Sequence, residues 1–228
     1  MRKTNFAPGE HYHIYNRGVN KRRIFNNDTD RWRFIFSLLY FQSPIKFNNV
    51  AEEIMPHFLR HRVLKDEKMA KKIAEQRLVR LQAFILMPNH FHLLVQEVQT
   101  GGISTYLQRL QNSYTKYFNT KHESSGHLFQ GPFQAVHIEN NEQLLYVSAY
   151  IHRNCCELLG WENRPNEYDW SSYQDYVKNN RWDNLLATEI IKEQFGSPQE
   201  YHTWVKETEA KSSFSSTLSS TPSVEESY

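Results

Sequence analysis

Residues 78–98 read LVRLQAFILMPNHFHLLVQEV, two apolar runs on either side of Pro88-Asn89. Strand-forming residues flanking a turn pair predict an antiparallel hairpin, with arms over 78–87 and 90–98. His90 and His92 open the second arm. Residues i and i+2 of a strand share a face, so both imidazoles point one way and Phe91 turns into apolar packing on the other. Two histidines so placed are able to converge on one metal ion. The pattern does not select itself, because His11-Tyr12-His13 repeats it. Either pair, or neither, forms a site on this evidence. The Met-Pro-Asn turn that fixes the entrance of the second arm favours His90 and His92, since the other pair lies near a chain end.

The rest of the chain places this hairpin in a sheet. HYHIYNRG (11–18) reads as a first strand. Asp28 or Thr29 caps a helix with Trp32, Ile35, Phe36, Leu39 and Tyr40 at helical spacing, which stops before Ser43-Pro44. A charged helical pattern over 58–76 has the character of an insertion, about 43–76, standing off the core. After Gly101-Gly102 comes a second long helix with Ile103, Leu107, Leu110 and Tyr114 on one side. A Gly/Pro-punctuated loop then runs into a strand ending near Glu139. Asn140 or Asn141 caps a third helix that continues to Gly160. A short helix near 183–195 and another opened by Ser197-Pro198 follow.

The order β-α-insertion-β-β-α-β-α predicts an α+β, ferredoxin-like fold: a βαββαβ core forming a four-stranded antiparallel sheet with helices packed on one face. First and third strands are neighbours in that topology, which brings His11 or His13 within reach of the same pocket as His90 and His92. The division expected is a domain over 1–180, a helical extension over 181–206, and a Ser/Thr/Glu-rich tail over 207–228 with the composition of a disordered segment.

Composition narrows the partners. The formal charge is +2, but the last 22 residues hold four acids and one base, so the preceding 206 carry +5. Arg17, Lys21, Arg22 and Arg23 cluster after the first strand, which suits a polyanion. No run approaches the ~20 apolar residues that span a bilayer. Two adjacent cysteines, Cys155 and Cys156, make a poor staple and point to the reducing cytoplasm.

The third helix contributes chemistry of its own. In YIHRN, Tyr150 and Asn154 stand at i and i+4, one turn apart on one face. A phenol is a poor nucleophile at neutral pH. It becomes competent towards a phosphate polarised by a metal ion. With two imidazoles, the amide oxygen of Asn154 makes a mixed nitrogen–oxygen set with open positions, suited to Mg²⁺ or Mn²⁺. Tyr146, Tyr114 and Tyr117 are rival nucleophiles that sequence does not separate from Tyr150. The chain has no GxSxG, Walker loop or zinc-type cysteine spacing.

MPNHFHLLV followed by YIHRN resembles the single-tyrosine HUH transposases of bacterial insertion sequences, in particular the branch called REP-associated tyrosine transposases. YHIYNRG, SYTKYFN, GHLFQGPF and YDWSSYQDY extend the likeness over about residues 10–176. The resemblance implies that His90 and His92 bind the metal, Tyr150 is the nucleophile, and Asn154 stands where relatives place a Gln or Asn ligand. The family ending YIxxNPV departs here to Asn154-Cys155-Cys156. The implied activity is cleavage and rejoining of single-stranded or hairpin DNA through a 5′-phosphotyrosyl intermediate. The basic cluster of Arg17, Lys21, Arg22 and Arg23 adds the expectation, from its charge, of contacts to DNA phosphates. A homodimer is among the assemblies it allows. A second reading is a domesticated protein that binds hairpin repeats without cutting them.

Overall fold

A computed structural model describes residues 4–62 and 67–208. Its elements run β1 (His11–Arg17), α1 (Asp28–Tyr40), α2 (Met55–His61), α3 (Glu67–Glu75), β2 (Val79–Met87), β3 (His90–Glu97), α4 (Gly102–Lys121), β4 (Gln134–Ile138), α5 (Asn141–Arg153), α6 (Tyr173–Val177), α7 (Glu189–Lys192) and α8 (Pro198–Glu207). The four strands form one antiparallel sheet in the order β2-β3-β1-β4. β1 and β3 are thus central neighbours, as the topology required. Tyr15 pairs with His92 and Arg17 with His90. The expected tail lies, from residue 209 on, outside the described residues. No helix among the described residues is long and apolar enough to cross a membrane.

Strand alternation creates two cores. Tyr12, Ile14, Phe84, Leu86, Phe91 and Leu93 face α1 and α4 in one buried cluster. Ala83, Ile85, Met87 and Leu94 face Val147 and Ile151 of α5, with Tyr173 of α6 and Tyr201 of α8, in a second. The two crossover helices of the βαββαβ core share one face. The later helices cover the other, so the sheet is sandwiched. The chemistry lies under α5, on that second face.

Local signals explain the boundaries. Asn27, one residue before the expected cap, accepts the Asp30 amide at 3.1 Å and starts α1. Asn140 accepts the Gln143 amide at 2.9 Å and starts α5. At α4 the cap comes from the preceding strand: the fully buried Glu97 carboxylate accepts amide hydrogens from Gly101, Gly102 and Ile103 at 2.7, 3.2 and 2.8 Å. A Cβ on Gly102 would stand 2.2 Å from the Leu78 carbonyl oxygen, so only glycine lets helix and strand approach this closely.

Three expectations need correction. The insertion does not stand off the core: Phe58, Met69 and Ile73 are buried in it, and the Phe58 ring meets Phe36 at 5.3 Å and Trp182 at 5.9 Å. It also divides into two helices, with a π-helical turn over Val50–Ile54 before the first. The helix read over 183–195 is a 3₁₀ turn, Asp183–Leu185, followed by the single turn of α7. Finally, α5 stops at Arg153 rather than running to Gly160, and tightens into a 3₁₀ turn, Asn154–Glu157. Tertiary contact overrides the helical pattern there, because the turn buries Asn154 and carries Cys155 into the second core.

The C-terminal helices brace α5. His152 bridges Tyr201 Oη of α8 at 2.7 Å and Ser172 Oγ at 2.9 Å, both buried. The helix bearing Tyr150 is thereby tied at its next-but-one residue to two separate parts of the chain.

Candidate active site

His13, Tyr15, His90 and His92 occupy one patch of the sheet, beneath Tyr150 of α5. The Tyr150 ring stands edge-on to His92 at a centroid distance of 5.4 Å and to His13 at 5.7 Å. His90 and His92 lie perpendicular to one another at 5.1 Å. Asn154 follows one turn after Tyr150, and its Oδ1 is 3.2 Å from His90 Nε2. The two histidines, the tyrosine and the asparagine singled out in the sequence are therefore gathered in one place within one chain.

Protonation gives that arrangement its character. Burial pushes His92 well below the ordinary imidazole value, and the neighbouring His13 and His90 push it the same way. Burial also lowers His90, against the opposing effects of Asn154 and Glu157. Both rings are neutral at pH 7, the form that ligates metals. Tyr150 is raised, first by burial and then by the charge of Glu157, with Asn154 partly offsetting both. Its resting state is a protonated phenol.

The donor atoms fit a cation. Asn89 Nδ2 donates to the Lys21 carbonyl, which turns its Oδ1 towards His90 Nδ1 at 2.7 Å. A neutral His90 has one N–H, and when it sits on Nδ1 it goes to Asn89. Its Nε2 lone pair then faces a lone pair of Asn154 Oδ1 across 3.2 Å. Two acceptors so close repel, and a cation held between them and His92 would relieve that repulsion. No group of three His, Cys, Asp or Glu side chains suited to a metal occurs among the described residues, so this set depends on its amide.

The rival tyrosines are engaged elsewhere. Tyr146 is 36% exposed and packs on Trp204. Tyr114 is buried and donates to the Ile24 carbonyl at 2.6 Å, and Tyr117 donates to Asp30 at 3.0 Å. The repeated His-x-His pair divides: His11 bonds Gln82 at 2.9 Å, whereas His13 reaches His92.

Beside His90 opens a cleft of about 1140 Å³ whose wall includes Tyr15, Arg17, Lys21, Arg23, Gln130 and Glu157. Gly18 makes its basic rim possible. A Cβ there would lie 2.2 Å from the Arg22 carbonyl oxygen, so the chain after β1 folds back only because residue 18 has none. Arg17 Nε donates to Gln130 at 2.6 Å. Arg22 departs from its neighbours: its guanidinium lies over the Phe118 ring at 5.5 Å, with Nε and Nη2 buried. Three of the four clustered bases face the cleft and one does not.

Sequence reasoning placed His11 or His13 within reach of this pocket, and His13 is the one that meets His92. It missed Tyr15 and Gln130 as cleft residues, and Glu157 as the charge beside Tyr150. Tyr15 shares the β1 face of His13, whereas Gln130 and Glu157 depend on loop and turn geometry.

A profile of the family described as "Transposase IS200 like" matches residues 9–154. The chain belongs to the IS200-like transposase family. The matched span of this transposase opens before β1 and ends on Asn154, enclosing His13, His90, His92 and Tyr150. The C-terminal helices that brace α5 lie beyond it. Among solved structures, a REP-associated tyrosine transposase bound to a REP hairpin matches with a TM-score of 0.53, over 83% of this chain and 92% of that one, at 13% identity. At that identity the likeness speaks for the fold. No curated protein shows significant similarity to the chain.

Proposed function

We propose that this transposase cleaves and rejoins single-stranded DNA at hairpin sites through a covalent link to Tyr150. The observation that carries the reading is the meeting of Tyr150 with His92, one helical turn from Asn154 against His90. Tyr150 Oη attacks the scissile phosphorus, and the bond to the 3′-oxygen breaks. That oxygen leaves as a 3′-hydroxyl, gaining a proton as the phenol loses one, while the 5′-phosphate stays on tyrosine. A second 3′-hydroxyl attacks the same phosphorus and releases Tyr150, so the number of phosphodiesters is conserved and no external energy source is needed. His90, His92 and Asn154 would hold Mg²⁺ or Mn²⁺, which when bound polarises the phosphate and stabilises the charge of the transition state. Every residue of the set comes from one chain.

Hairpin DNA is the preferred substrate because the REP-associated relative was solved with a REP hairpin. Incubating the protein with a hairpin labelled at both ends, carrying a single-stranded flank, and Mn²⁺ should give a 5′-labelled cut strand and a 3′-labelled protein–DNA adduct. Mass spectrometry should place the adduct on the Tyr150 peptide, and EDTA should abolish both products. Cleavage without an adduct, or an adduct on another tyrosine, overturns the proposal. Hairpins that are bound but never cut would favour the domesticated, non-cleaving reading.

Phosphate contacts have a separate signature. Arg17→Ala, Lys21→Ala and Arg23→Ala should each weaken hairpin binding and reduce the slope of log K against log salt by about 0.7–0.9. Arg22→Ala should leave that slope unchanged, because its guanidinium is held over Phe118. Equal effects for all four would mean that the cleft is not the DNA path.

A further inference from the structure

We propose that His13 is a positioning residue that fixes the tautomer of His92, accepting its Nδ1–H and so keeping the His92 Nε2 lone pair for a cation. The proposal rests on the functional reading above and extends it to a residue with no access to the substrate. His13 is fully buried in the centre of the sheet. Its place there is costly for an imidazole unless the ring is hydrogen-bonded.

The geometry defines the bond. β1 and β3 pair so that His13 stands opposite Leu94 and diagonally from His92. The two rings are 18° from parallel, and His13 Nε2 lies 2.9 Å from His92 Nδ1. Two buried imidazoles side by side cannot both carry charge, so one proton occupies that contact. If it belongs to His13, then His92 is protonated on Nε2 and presents an N–H to the cation site. If it belongs to His92, Nε2 is a free lone pair. With the His90 proton directed at Asn89, only the second arrangement lets both histidines offer Nε2 to one cation. An apolar side chain at position 13 would pack as well and leave the His92 tautomer undetermined. Ligating histidines are commonly oriented through their second nitrogen, and loss of the partner typically costs about 10–100-fold in metal affinity. His13 also meets Tyr150 edge-on, so the same ring supports nucleophile and ligand.

Nitrogen-15 NMR of histidine-labelled full-length protein reads the tautomer directly: His92 should carry its proton on Nδ1. Mn²⁺ titration followed by electron paramagnetic resonance should show His13→Leu losing about 10–100-fold in affinity. His13→Gln, whose amide oxygen accepts the same proton, should recover most of that loss. A thermal melt confirms that each variant is folded. A wild-type His92 protonated on Nε2, or a folded His13→Leu with unchanged Mn²⁺ affinity, overturns the role given to His13. His90→Ala separates the two levels: if it too leaves Mn²⁺ affinity unchanged, the cation site itself is wrong. If His90→Ala loses affinity and His13→Leu does not, only the positioning role falls.

Discussion

Tyr150→Phe should remove strand cleavage and adduct formation, by at least ~10³-fold in rate, while the protein keeps its wild-type melting temperature. The substitution deletes one oxygen. The ring remains edge-on to His92 and His13, so packing is conserved and the loss reports chemistry alone. Tyr146→Phe is the control within the same helix. Its ring packs on Trp204 at 5.8 Å, away from the histidines, and its removal should leave the cleavage rate within about twofold. Tyr15→Phe is the sharper comparison. Tyr15 pairs with His92 across the strands and lines the cleft, so it is the nearest competitor for the nucleophile's role. A Tyr150→Phe protein that still forms the adduct, with Tyr15→Phe forming none, would transfer the assignment to β1.

The largest structural effect should follow from Glu97→Ala. Its buried carboxylate takes three amide hydrogens at the start of α4, where the aligned peptide dipoles favour a negative charge. Truncation leaves the buried Ile103 amide without its acceptor. It also takes the charged partner from Gly101 and Gly102, of which Gly102 keeps the Gln99 carbonyl at 2.8 Å. A hydrogen bond to a charged group contributes roughly 1.5–3 kcal/mol. The expected loss is about 3–5 kcal/mol, or a fall in melting temperature of roughly 6–20 °C for a chain of this size. Glu97→Gln should lie between, since one oxygen still accepts while its amino group opposes an N–H. A melting temperature within about 2 °C of wild type for Glu97→Ala would show that the α4 terminus finds other partners.

The sheet was legible because its signals are local. The hairpin at 78–98, the apolar stripes of α1 and α4, and the Asn-capped start of α5 all follow from short-range periodicity and turn chemistry. Tyr150 and Asn154 were legible as a pair for the same reason. What escaped depends on contacts between distant segments. The end of α5 at Arg153 cannot be read from a helical pattern that continues past it, because the buried turn at Asn154–Glu157 is set by packing. The insertion is charged enough to read as peripheral, yet three apolar residues bury it. Arg22 is indistinguishable in sequence from Arg23, and only the position of Phe118 draws it inward. His13 was visible as half of a repeated motif, but its use depends on a diagonal contact across 79 residues.

The central place of β1 has a consequence for how the protein is made. This strand leaves the ribosome first, but both of its neighbours, β3 and β4, are synthesised much later. Such distant pairings close slowly and late. A nascent chain that has not reached Asn154 lacks the last of the assembled groups, however well its early helices form. Translation order thus delays the assembly of these groups until the whole sheet has closed around the earliest-made of its strands.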